Sequence, residues 1–129
     1  MAGFTPAEQK ATLDARFPTS GATDYIAFST DGSTEAASVM PRMAVGATGW
    51  AAATAGDPAE KPNAAKLTTP AALATGTLTQ WAVMSAASGG TQRTKWNVLK
   101  DSTGAVKARA VAAGDTLTFE AGTLKVTLN

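Results

Sequence analysis

Strict alternation of polar and apolar residues marks the last part of the chain. In segments 116–120 and 123–128 every second residue is apolar, and these residues are Leu117, Phe119, Leu124, Val126 and Leu128. A period of two residues is that of a β-strand, whose successive side chains point to opposite faces of a sheet. We therefore predict two strands here, separated by a bend at Ala121-Gly122, with their apolar faces turned inward together.

Shorter segments with strand periodicity precede this region and are separated by turn signals. Asp31-Gly32 and Gly89-Gly90 are typical turn dipeptides, and Ser102-Thr103-Gly104 supplies a third turn. Residues 47–63 contain two glycines and two prolines and are predicted as a long loop around Trp50. The other predicted strands are 25–28, 42–45, 66–69, 78–84, 95–99 and 106–111.

One helix is predicted at the start of the chain. Thr5 suits the N-cap, Pro6 the first helical position, and Glu8 completes a capping box, while Phe17-Pro18 ends the helix. Leu13 and Phe17 form its only bulky apolar stripe. A helix this short is not stable alone, so we expect it to dock on the body of the protein or on a neighbouring subunit.

The element order predicts an all-β fold. Strands with one apolar and one threonine-rich face, separated by turns roughly every 8–12 residues, suit a single antiparallel β-sandwich or jelly-roll-like domain. We assign residues 21–129 to this domain. Residues 1–20 are predicted to be a capped helix and linker that act as an attachment arm.

Composition changes this picture in one respect. The chain has 129 residues and 44% are hydrophobic, but 29 of the hydrophobic residues are alanine. The larger apolar residues are therefore few, and the predicted core is thin for the chain length. We expect part of the stability to come from partners.

The absent residue types exclude several kinds of chemistry. With no Cys and no His, the chain has no disulfides, thiol nucleophiles, histidine bases, Ser-His-Asp triads or Cys/His zinc sites. The charges nearly balance at a net +1, which gives no long-range field toward nucleic acid or anionic lipid. We predict a soluble, non-enzymatic protein made in a reducing cytoplasm, with no cofactor or metal and with neither nucleic acid nor membrane as partner.

Five segments have the residue types of small sites, and each has a simpler explanation. Residues 31–35 could hold Ca²⁺, but a hairpin turn is favoured. Asp57 and Glu60 could act as a carboxylate pair, but a soluble loop is favoured. The glycines of 46–49 and 89–95 do not have the P-loop spacing and are better explained as turns. Residues 93–100 combine basic and aromatic residues, as single-strand binders do, but strand alternation explains them.

Candidate partner contacts come from apolar residues in the helix and loops. Trp50 is either a plug over the core, which we favour, or an anchor for a partner, since tryptophan is enriched at binding sites. Met40 and Arg42 belong to a flexible contact surface or to a strand entry. The candidate partner-contact residues are Phe4, Leu13, Phe17, Met40, Arg42 and Trp50.

Seven short motifs follow one another between Tyr25 and Leu124. They are Tyr25-Ile26-Ala27-Phe28, Met43-Ala44-Val45 with Trp50-Ala51-Ala52, Asn63-Ala64-Ala65, Thr69-Pro70-Ala71-Ala72, Leu78-Thr79-Gln80-Trp81-Ala82-Val83, Ser85-Ala86-Ala87-Ser88-Gly89-Gly90, and Ala113-Gly114-Asp115-Thr116 leading to Phe119-Glu120-Ala121-Gly122-Thr123-Leu124. In this order they resemble a large family of small tailed-phage virion proteins, commonly labelled tail fibre or minor structural proteins. Two motifs depart from that family, which often has His-Phe-Gly at 80–82 and Phe at 69.

The resemblance implies a structural accessory role in a bacteriophage virion, after synthesis in the host cytoplasm. Because the chain lacks the shaft or repeats of a fibre, a capsid decoration or minor capsid protein that cements neighbouring major-capsid subunits is the leading hypothesis. A tail fibre or baseplate component and a carbohydrate-binding adhesin module are the alternatives. The expected partners are the major capsid protein or tail proteins, and a homo-oligomer is expected, with a trimer as one option.

Overall fold

The computed structural model describes residues 4–56, 58–101 and 103–128. It contains one helix, α1 (Pro6–Arg16), followed by short strands. The strands are β1 (Tyr25–Ser29), β2 (Met43–Ala44), β3 (Ala59–Pro62), β4 (Leu67–Thr68), β5 (Gly76–Leu78), β6 (Gln80–Met84), β7 (Asn97–Val98), β8 (Arg109–Val111), β9 (Thr118–Phe119) and β10 (Lys125–Leu128). Every strand pair is antiparallel. The predictions of a mostly β fold and of one short N-terminal helix are confirmed.

Helix α1 begins and ends where its capping residues predict. The Thr5 hydroxyl accepts a hydrogen bond from the Glu8 N–H at 3.3 Å, and the Phe17 N–H donates to the Leu13 carbonyl. Gln9 and Leu13 are buried where the helix packs against β3 and β10. The helix therefore docks on the body of its own chain. Whether residues 1–20 also attach to a partner stays a prediction.

The largest sheet has the strand order β2-β1-β6-β7. Its two central strands pair along their full length, with Ala27 opposite Ala82. Four of the five residues in each of these strands are buried, so both faces of the centre of the sheet are covered. Small side chains such as Ala27 and Ala82 allow other segments to approach the second face closely.

The remaining strands form three two-stranded pairs, β3–β10, β4–β9 and β5–β8. The last two strands of the chain each pair with a distant strand: β9 with β4 and β10 with β3. The five residues predicted to face inward do so: Phe119, Leu124 and Val126 are buried, and Leu117 and Leu128 are partly buried against the core. The Phe119 ring stacks on Phe28 with ring centroids 5.7 Å apart, which connects β9 to the main sheet.

The prediction of a loop over residues 47–63 is wrong at its end, because β3 occupies Ala59–Pro62. The buried positions of β3 are Ala59 and Lys61, and an alanine alternating with a lysine carries no strand signal. Lys61 is buried because its ammonium group contacts Asp14 Oδ1 of the helix at 2.7 Å. β3 pairs with β10 on one side and bonds to residues 51–54 on the other. On that second side the Pro62 carbonyl accepts a hydrogen bond from the Ala51 N–H at 2.9 Å, a contact that needs no N–H at residue 62.

Candidate interaction surface

The chain beyond β7 extends the main sheet to an exposed edge. β7 pairs with β6, Val98 lying opposite Gln80, and the Leu99 N–H then donates to the Thr79 carbonyl at 2.9 Å. Leu99 is fully buried, whereas Val98 is 42% exposed. The alternation predicted for residues 95–99 is thus present, and Leu99 lies on the face that is turned to the core.

A tight turn built by Asp101 reverses the chain after this strand. Its Oδ1 atom accepts hydrogen bonds from the Thr103 N–H at 2.8 Å and the Ala105 N–H at 3.1 Å, and from the Thr103 hydroxyl. The Thr103 hydroxyl is the main cause that lowers the pKa of Asp101, with further contributions from these amides and from the nearby charge of Lys107. Gly104 has a φ of 88°, which favours glycine. Ser102 of the predicted turn lies outside the described residues.

The returning chain, residues 105–108, forms what we call the edge segment. Val106 lies opposite Lys100, and the bonds that flank this pair run from the Asp101 N–H to the Ala105 carbonyl and from the Lys107 N–H to the Leu99 carbonyl, both at 2.9 Å. In an antiparallel pair flanked in this way, the N–H and C=O of the paired residue point away from the neighbouring strand. The backbone of Val106 is therefore directed outward, and its side chain is 71% exposed.

The two faces of the edge segment differ in chemistry. Val106 shares a face with Val98 and Lys100, because directly paired residues and residues two apart lie on the same side of a sheet. Lys107 points to the opposite face, toward which Arg109 is also directed by the alternation. One face thus presents two exposed valines together with Lys100, and the other presents Lys107 and Arg109.

Cations are concentrated in this region. Residues 93–109 contain five of the 11 Lys and Arg residues and one of the 10 Asp and Glu residues. Arg109 donates hydrogen bonds to the carbonyls of Lys107 at 2.6 Å and Lys100 at 3.2 Å. Within the described part of the chain, Lys100, Lys107 and Arg109 form no salt bridge. The charge near the edge segment is therefore positive even with Asp101 beside it.

A cleft of about 320 Å³ separates this region from the β3–β10 pair. Glu60 and Lys125 lie in its wall and approach each other to 3.8 Å. Trp81 also lines the cleft but is only 3% exposed. A ring buried to this extent offers no open face on which a sugar could stack.

Four of the six candidate partner-contact residues are in the core. Their side chains fill the interior of the chain and are at most 6% exposed; they are Leu13, Phe17, Met40 and Trp50. Phe4 is exposed at the start of the helix. The low content of bulky residues is the physical reason, since most of the large apolar side chains are used to close the interior.

Trp50 acts as the plug that the sequence favoured. Its Nε1–H donates to Asp24 Oδ2 at 3.0 Å, and its ring meets Phe17 edge to face with centroids 5.7 Å apart. Asp24 also pairs with Arg93, whose guanidinium lies 4.3 Å from the centroid of the Phe17 ring. Phe17 and Trp50 therefore join the end of the helix to the body.

Arg42 joins two loops. Its guanidinium donates to both carboxylate oxygens of Glu35, at 2.8 and 2.9 Å, and to the carbonyls of Ala86 and Gly89, at 2.7 and 2.8 Å. All of these acceptors belong to the same chain. The geometry assigns Arg42 an internal role in holding the loops together.

The other sequence candidates are placed as turns and loops. Asp31 Oδ1 accepts hydrogen bonds from the N–H groups of Ser33 and Thr34, and these bonds hold the pKa of Asp31 well below its usual range. Gly89 and Gly90 have positive φ angles typical of turns. Asp57 lies outside the described residues. Among the residues described, no cluster of three acidic, His or Cys side chains could hold a metal ion.

Sequence reasoning did not select the edge segment. The strand at 106–111 was predicted, and the excess of cations in residues 93–109 can be counted in the sequence. The exposure of Val106 has no local signal, because it follows from the position of the segment at the end of the main sheet.

Comparison with protein-family models and with curated proteins gives no relative. No protein-family model matches the chain, and no curated protein matches it significantly. In the part of the chain that the structure describes, no helix is both long and apolar enough to span a bilayer.

Proposed function

We propose that the protein is a structural, non-enzymatic accessory protein of a bacteriophage virion, most specifically a capsid decoration or minor capsid protein that cements neighbouring major-capsid subunits. It acts as a homo-oligomer, with a trimer as the arrangement to test first. The strands form a β-sandwich of the jelly-roll type. The Phe28–Phe119 stack supports this layering, since it sets the β4–β9 pair against the main sheet.

The observation that carries the proposal is the division of the molecule into a self-contained body and an uncovered sheet edge. Four of the side chains predicted as partner contacts close the core within one chain. Val98, Val106 and the neighbouring cations remain outside it. A small body with one such surface is suited to binding a larger assembly in many copies.

The resemblance to small virion proteins supplies the class of assembly, and its motifs have coherent places in the fold. Tyr25–Ser29 and Gln80–Met84 form the centre of the main sheet. Asn63 holds the C-terminal turn, since its Nδ2 donates to the Glu120 carbonyl and its Oδ1 accepts from the Leu124 N–H, both at 3.0 Å. The motifs thus describe the body, while residues 91–112, which include the edge segment, lie between them.

The copy number in purified virions tests the proposal. Quantitative mass spectrometry of particles should give hundreds of copies per virion, in proportion to the major capsid protein. A handful of copies located at the tail tip would replace the capsid assignment by a tail fibre or baseplate component. Binding of the recombinant protein to undecorated capsids is the second measurement. Binding to host cell wall without binding to capsids would favour the adhesin module instead.

A further inference from the structure

We infer that the edge segment, residues 105–108, is a docking site for an extended acidic segment of a partner protein, which adds to the main sheet as a further strand. The inference goes beyond the proposed function, because it names the contact surface and the chemistry of the bound segment. It applies whichever virion protein supplies that segment.

The backbone of the edge segment supplies the first argument. Strand addition requires N–H and C=O groups at alternate residues that face away from the sheet. The bonds at Asp101 and Lys107 direct the Val106 groups outward, and Ala108, two residues further, has the same direction by the alternation of a strand. Among the described residues, no other segment forms a backbone hydrogen bond with the N–H or C=O group of Val106 or Ala108.

The side chains supply the second argument, which concerns the sequence of the bound segment. An added strand would lie beside the exposed Val106 side chain on one face and the exposed Lys107 side chain on the other. Lys107 forms no salt bridge with any described residue. The complementary strand therefore alternates apolar and acidic residues, and charge complementarity selects an acidic protein segment over a second copy of this basic edge.

Natural proteins protect such edges against unwanted strand pairing in several ways, and a charged side chain on the edge, especially lysine, is a common one. Lys107 has this effect against pairing between two copies, since two copies would bring like charges together. The same charge attracts an acidic strand. The edge is thus selective in its occupant, and Arg109, held over the Phe119 ring at 5.5 Å from its centroid, keeps a second positive charge in place.

Fluorescence anisotropy with the full chain tests the inference. The probe is a fluorescein-labelled octapeptide in which glutamate and valine alternate, and the control peptide has glutamine at each glutamate position. We expect the acidic peptide to bind at least roughly fivefold more tightly than the control, and increasing salt to reduce the difference. Equal binding of the two peptides would overturn the inference.

Two substitutions and two matched controls separate the backbone from the charge. Val106→Pro removes the outward N–H and should weaken peptide binding roughly fivefold or more, whereas Val106→Thr retains that N–H and should bind within about twofold of the parent. Lys107→Gln should weaken binding by roughly twofold to fivefold. Arg16→Gln removes a charge from the helix across the β3–β10 pair and should have no effect.

Amide hydrogen exchange provides the readout that does not depend on the proline variant folding. Addition of the acidic peptide should slow exchange at Val106 and Ala108, and unchanged exchange there would refute strand addition. Tighter binding of an oligothymidylate than of the peptide would assign the edge to nucleic acid, and a dimer abolished by Val106→Pro would assign it to a second copy. Each of these results overturns the inference and leaves the copy-number test of the proposed function unaffected.

Discussion

Asp14 is the only acidic group, among the residues described, that pairs with the fully buried ammonium group of Lys61. Its Oδ1 atom accepts hydrogen bonds from Lys61 Nζ at 2.7 Å and from the Ala53 N–H at 2.8 Å, and its Oδ2 atom accepts from Lys10 Nζ at 2.7 Å. The Lys61 side chain is 0% exposed, whereas that of Asp14 is 30% exposed. Removal of the carboxylate would leave a buried positive charge without its counter-ion.

We predict that Asp14→Ala lowers the free energy of unfolding by about 3 kcal/mol, the lower end of the range for a broken buried ion pair, because water reaches Asp14. For a chain of this length the loss corresponds to a fall in melting temperature of about 10 °C. Urea denaturation followed by tryptophan fluorescence measures it. Lys10→Ala removes only the exposed partner and should cost less than about 0.5 kcal/mol.

A double-mutant cycle decides whether the cost comes from the buried charge. Lys61→Met removes the ammonium group but keeps an apolar side chain of similar length, so it should cost less than about 1 kcal/mol. Asp14→Ala combined with Lys61→Met should recover most of the stability lost in Asp14→Ala alone. An Asp14→Ala variant no less stable than Lys61→Met would refute the reasoning.

Three further predictions concern pH and two internal contacts. Burial raises the pKa of Asp14, but the hydrogen bonds from Lys10, Lys61 and Ala53 outweigh it and hold the pKa below the ordinary 3.8. The contribution of Asp14 to stability is therefore complete above about pH 5 and is lost progressively as the pH falls below about 4. The stability difference between the parent and Asp14→Ala should shrink in acid, and a constant difference in urea titrations would contradict this. Arg42→Lys should cost about 2 kcal/mol in denaturant melts, because lysine cannot reproduce the two-pronged contact with Glu35, and full rescue by lysine would contradict it. Trp50→Phe should cost about 2 kcal/mol in thermal melts, since the Nε1 hydrogen bond is lost in the core, whereas the half-buried Trp96→Phe control should cost less than about 1 kcal/mol.

Local signals explain what could be predicted from the sequence. The N-cap at Thr5 and the stop at Phe17-Pro18 act within a few residues, so the helix was placed correctly. The alternation at 123–128 likewise predicted the buried face of β10. Strand partners were not predictable, because the pairing of β10 with β3 depends on a segment about 60 residues earlier in the chain.

Contacts between distant residues explain the failures. Lys61 occupies a core position of β3 only because the Asp14 carboxylate, 47 residues away in the sequence, accepts a hydrogen bond from its ammonium group. The sequence alone did not decide whether Trp50 is a plug over the core or an anchor for a partner. Its contacts with Asp24 and Phe17 in the fold show that it is a plug. In both cases the decisive neighbour comes from another element of the fold, and no local pattern contains it.

The distribution of charge leads to a different conclusion from the net charge. A net charge of +1 predicts no long-range attraction to any partner, and that inference concerns distances beyond the Debye length of roughly 8–10 Å at moderate salt. The fold gathers Lys100, Lys107 and Arg109 around one sheet edge, where a docked strand would lie within that distance. A near-neutral protein of this kind approaches its partner without electrostatic steering and discriminates between partners only at contact. Salt should therefore weaken the binding of an acidic strand, because it screens the contact between that strand and the exposed cations of the edge.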